Sequence, residues 1–195
     1  ITTTDTNGIN VLRGTIVRDT GFTAGFMAAD FQYVRGGFSG AAAPYTFIGG
    51  GQQNEVQSTA INSAVVCGFG NNVTGGNGAV MCGRNNTGPD TGMTNSWIGG
   101  GAGNFVHSID LPSTAEGNSW VGGGANNEVE STLNGVIAGG QDNLIGDQFG
   151  FLLTTNSFVG GGKANTIQAS YAAILGGSGN FINAGAENAF AVGNN

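Results

Sequence analysis

The stretch SWIGGGAGNFV, residues 96–106, is followed by SWVGGGANNEV at 119–129 and SFVGGGKANTI at 157–167. Each places a triple glycine three residues ahead of an asparagine, between β-branched residues. One copy alone could pass for a phosphate loop. That reading needs a strand, a glycine turn and then a helix N-terminus, with GK[ST] or an acidic residue about 20 positions on. None of those contexts occurs, and no nucleotide site calls for many copies.

Aligned on the last glycine and the asparagine, eight ten-residue cores emerge. They are FIGGGQQNEV (47–56), AVVCGFGNNV (64–73), AVMCGRNNTG (79–88), WIGGGAGNFV (97–106), WVGGGANNEV (120–129), VIAGGQDNLI (136–145), FVGGGKANTI (158–167) and AILGGSGNFI (173–182). A truncated ninth begins at Ala189, and YVRGGFSGAA (33–42) reads as a degenerate first copy. The second position is always Ile or Val, and the tenth is too except at Gly88, which marks both as buried strand positions. Residues two apart on a strand share a face, so the fourth position, always Gly or Cys, is expected to point into a cramped interior. The asparagine is expected at a left-handed turn, bonded to the main chain and stacked into a ladder. A unit of about 15 residues cannot bury its apolar face alone. The repeats must therefore stack into an all-β solenoid. The glycine density excludes helix.

Composition agrees. Glycine supplies 39 of 195 residues, about three times its usual share. With 39% hydrophobic and only 9% charged residues, the chain is too apolar for a disordered tail. Three prolines and no strict Gly period exclude collagen. A net charge of −7 argues against nucleic acid or an anionic membrane as partner. No apolar run reaches the length of a membrane helix, so no membrane insertion is expected. The start, ITTTDTNGIN, is unlike a signal peptide and lacks an initiator Met, as a processed product or fragment would.

Over residues 46–195 these repeats resemble the head repeats of trimeric autotransporter adhesins. They are closer still to the VGGGxxN repeats of phage tail fibres and bacterial fibre adhesins that precede an endosialidase-type intramolecular chaperone. The resemblance implies a left-handed parallel β-roll in each chain, with three chains around a three-fold axis. The repeats here are irregular, with insertions that regular shafts lack, which suits a fibre tip or neck. An end inside a repeat suits removal of a C-terminal chaperone. Residues 1–45 lie outside the resemblance and read as a small β region or capping element.

Chemistry-bearing residues are few. His107 is the only histidine, which argues against His-based metal clusters and multi-His sites, and it is expected in a surface loop. It lacks the nucleophile setting that a Ser/His/Asp site with Asp110 needs. Asp90, Asp110 and Glu116 lie in inserts, but nothing brings two of them together for glycan hydrolysis. No enzyme activity, cofactor or metal is expected. Cys67 and Cys82 share the fourth position one repeat apart, where a disulfide is within reach. Side chains pointing the same way make a reduced, space-filling pair the expectation.

Phe47, Trp97, Trp120 and Phe158 share the first position, on the face opposite the Ile/Val column. They are expected to pack against a neighbouring chain or to stack on sugars. Inserts at 57–62, 87–95, 107–118 and 146–156 all leave the repeat at the same corner, commonly the binding face. These features lead to a trimeric fibre adhesin or receptor-binding domain, extracellular on a cell or virion, that binds a cell-surface glycan or protein. Trp97, Trp120, Phe149, Phe151, Asp110 and Glu116 are the contact candidates. A purely structural shaft segment and a glycan-cleaving tailspike are the alternatives.

Overall fold

The computed structural model describes residues 28–32, 40–90, 94–107, 117–146 and 153–195. Among these residues every regular element is a β-strand, every pairing is parallel, and no helix occurs. Ten strands form one sheet: Ala29–Asp30, Phe47–Ile48, Ala64–Val65, Ala79–Val80, Trp97–Ile98, Trp120–Val121, Val136–Ile137, Phe158–Val159, Ala173–Ser178 and Phe190–Asn194. First-position residues stack on first-position residues, as Trp97 does on Trp120. A five-stranded sheet joins Phe105–His107, Glu128–Glu130, Leu144–Ile145, Thr166–Ile167 and Phe181–Ile182. A separate pair, Glu55–Val56 with Asn72–Val73, is linked onward through bridges at Thr87. Single bridges from Gln52 through Phe69, Arg84, Ala102, Ala125, Gln141 and Lys163 to Ser178 make a further column. Each turn of chain thus adds one rung to stacked sheets of parallel strands, as a β-solenoid requires.

The interior is the expected Ile/Val column. Ile48, Val65, Val80, Ile98, Val121, Ile137, Val159 and Ile174 are 0% exposed, and they pack with the tenth-position column from Val56 to Ile182 in one cluster. Each such burial contributes about 1.5–3 kcal/mol. β-Branched side chains suit this place because their single favoured rotamer costs little entropy on a pleated strand.

The asparagine ladder exists, but the left-handed backbone sits one residue earlier than expected. Gln53, Asn85, Asn126, Asp142 and Ala164, at the seventh position, have φ of 53–56°. The eighth-position asparagine instead lies in the core and serves as a connector. Asn104 Nδ2 donates to Gly100 O in its own rung, to Gly124 O in the next and to Asn86 Oδ1 in the one before. Its backbone N also donates to Asn86 Oδ1. A second left-handed column, two residues before each first position, runs through Tyr45, Asn62, Asn77, Asn95, Asn118, Asn134, Asn156, Tyr171 and Asn188.

The fourth position corrects the sequence reading. A Cβ at Gly50, Gly139 or Gly176 meets nothing within 4 Å, so these positions face open space and not a cramped interior. The chain turns inside the triple glycine, which breaks the strand parity. Crowding falls on the third position, where a Cβ on Gly122 would lie 2.2 Å from Ala138 O, and most of all on the fifth, where a Cβ on Gly124 would lie 2.1 Å from Gly140 O at φ +91°. Cys67 and Cys82, at the fourth position of adjacent rungs, do not point into the core but meet each other. They form a disulfide, with Cα atoms 4.7 Å apart, and not the expected pair of thiols.

The described residues before 46 join the stack. Ala29–Asp30 pairs with Phe47–Ile48, and Ala41 bridges to Val56, so the preceding rung does not follow the YVRGGFSGAA alignment. Gln32 completes the ladder, its side chain accepting from Asn54 N and donating to Asn54 O.

Candidate binding surfaces

Every core from first to tenth position spans ten residues, whereas the connection from one tenth position to the next first position does not. It takes five residues at 74–78 and 168–172, twelve at 146–157 and thirteen at 107–119. Among the eight full repeats the length variation therefore falls on one edge of the stack, while the first rung, Ala29 to Ala41, and the last, from Phe190, also differ within the core. Four of the contact candidates, Asp110, Glu116, Phe149 and Phe151, lie outside the described residues.

The other two stand elsewhere. Trp97 and Trp120 project from the outer face of the ten-stranded sheet, 48% and 42% exposed, with ring centroids 6.4 Å apart. Their column continues through exposed Phe47 and Phe158 and the alanines 64, 79 and 173. Beside it runs the third-position column of Gly49, Val66, Met81, Gly99, Gly122, Ala138, Gly160 and Leu175. No charged residue interrupts either column over these rungs. The face is apolar and partly exposed in the single chain; large contiguous patches of this kind are commonly interaction surfaces.

A third feature was not visible in the sequence reading. His107 is the last residue of the strand Phe105–His107, at the root of the connection that follows. It lies in register with Glu130 on the next rung, while Phe105 pairs with Glu128. Its Nε2 is 2.6 Å from Glu128 Oε1, and Phe105 meets its ring edge-on at 5.2 Å. Burial opposes protonation most strongly. The Glu128 hydrogen bond and the charges of Glu128, Glu130 and Asp90 outweigh it, raising the imidazole pKa above its ordinary value. Glu130 is 1% exposed. The signal available in sequence was positional: His107 and Glu130 each follow a tenth core position, so stacking makes them neighbours.

No protein-family model matches the chain, and no curated protein matches it with significance.

Proposed function

We propose that the chain is a fibre domain that associates as a parallel homotrimer and presents one edge of its rungs to a cell-surface ligand, as an adhesin or receptor-binding domain does. The observation that carries this reading is the division of the eight full repeats into a core of constant length, ten residues, and one connection of variable length. Variable loops on a rigid frame are the usual build of a recognition surface. Asp110, Glu116, Phe149 and Phe151 belong to these connections and remain the proposed contacts for a glycan or protein. Three copies supply the edge three times, which converts weak single contacts into avidity.

The uncharged face of the ten-stranded sheet supports the assembly. It is exposed in one chain and covered if three rolls, each wound left-handed, pack about a shared axis. The fourth position, open in three of the rungs, supports the same arrangement. Nothing within the chain restricts Gly50, Gly139 or Gly176 to glycine, whereas a neighbouring backbone at close range would. This arrangement moves Trp97 and Trp120 from ligand stacking to contacts between chains. The disulfide favours an oxidising, extracellular setting on a cell or virion.

Replacing 109–116 and 147–152 by short Gly-Ser links tests the reading, with sedimentation and a glycan array as readouts. The trimer is expected to persist and binding to vanish. A folded monomer overturns the assembly, binding that survives both replacements moves the ligand site, and an intact trimer that binds nothing is a structural spacer.

A further inference from the structure

We infer that His107, Glu128 and Glu130 form a binding site for a divalent transition-metal ion, Zn²⁺ foremost, that clasps two successive rungs. One imidazole nitrogen and one carboxylate oxygen from each glutamate lie within 4.8 Å of one another. Their positions follow from strand register and not from loop conformation. Glu128 and Glu130 flank Val129 and so lie on the strand face opposite it, where Glu130 is buried, and His107 stands beside Glu130 on the same face of the rung before.

The donor set selects the ion. Zinc takes imidazole nitrogen at about 2.0–2.1 Å and carboxylate oxygen at about 2.0–2.2 Å, which three converging side chains of these types can supply. The imidazole disfavours calcium and magnesium, which prefer oxygen alone. The lack of sulfur in the cluster disfavours Cu(I). Binding requires the His107–Glu128 hydrogen bond to open by less than 1 Å, roughly, to reach the ligand spacing of a tetrahedral site. Glu128 has room to move, its side chain being 35% exposed, while that of His107 is 22% exposed. Three protein ligands leave a fourth position for water.

The location gives the ion a task. His107 opens the 107–119 connection, the longest on the variable edge, and Glu130 opens the connection of the next rung. An ion between them fixes the roots of two neighbouring connections to each other. This site stands on its own observations, whatever ligand the edge binds.

The test uses the untagged full chain, stripped with a chelator and titrated with Zn²⁺ by calorimetry. One ion per chain is expected, with affinity more than about tenfold weaker in Glu128→Gln and His107→Gln. Because the chain has a single histidine, X-ray absorption at the zinc edge of the wild-type protein reads the site without any variant. One imidazole among oxygen ligands is the expected spectrum. Bound zinc with no imidazole signature, variants that bind as tightly as wild type, or no binding below about 1 mM overturns the assignment.

Discussion

Asn127 donates through Nδ2 to Oδ1 of Asn104 on the preceding rung, 3.2 Å away, and its own Oδ1 accepts from Asn143 on the next. The same side chain also donates to the carbonyls of Gly123 and Gly140. One amide thus joins three rungs inside the core, where an unmade hydrogen bond is costly.

The first prediction follows from that geometry. Asn127→Ala deprives the Gly123 carbonyl and the Asn143 amide of partners, at about 1–3 kcal/mol each. Asn134, at φ 58° and exposed, adds to its left-handed backbone a single exposed side-chain hydrogen bond, Nδ2 to Asn156 Oδ1 at 2.9 Å, so Asn134→Ala is expected to cost about 1–2 kcal/mol. Urea midpoints compare the two, and equal losses would remove the ladder from the account of stability.

Two neighbouring glycines separate folding from assembly. Gly124→Ala drives a Cβ into the Gly140 carbonyl at a left-handed φ, and is expected to abolish the folded rung. Gly139→Leu meets open space within its own chain. It is expected to leave the circular dichroism spectrum intact while preventing the trimer. A Gly139→Leu protein that sediments as a trimer shows that this column lies away from the chain contacts.

Tryptophan fluorescence watches the proposed contact face directly. The chain has two tryptophans, Trp97 and Trp120, both on that face. In the assembled protein their emission is expected to be blue-shifted and protected from acrylamide, and to shift red on dissociation before secondary structure melts. Red, quenchable emission from the native assembly places the face in solvent.

The Cys67–Cys82 bond closes a loop with a sequence separation of 15. The loop-entropy view allows at most about 3 kcal/mol for such a closure, and strand pairing already limits how far these rungs separate. Reduction is therefore expected to lower the urea midpoint without unfolding the protein. Mass spectrometry under non-reducing conditions, after blocking free thiols, checks that the bond is present at all.

What could be read from sequence was whatever repeats in register. Ile or Val at the second position recurs in all eight cores, and its burial needed no further information. The asparagine ladder was legible for the same reason. The left-handed seventh position was not, since Gln53, Gly70, Asn85, Asp142 and Ala164 share no side-chain chemistry. The fourth position misled because a parity argument assumes an unbroken strand, and the chain turns there. Glu128 and Glu130 escaped notice beside His107 because their proximity depends on the stacking of separate repeats. The four acidic and aromatic contact candidates in the long connections rest on sequence alone, outside the described residues.

His107 and Gly146 each follow a tenth core position and open a long connection. They are 39 residues apart in the chain but two rungs apart in the stack, about 10 Å at the usual strand spacing. Height along the stack is therefore counted in turns and not in residues. A connection can gain or lose residues and exchange its chemistry while its root stays a whole number of strand spacings from every other root. Spacing and content of the displayed surface can then vary independently, the first only by adding or removing entire rungs.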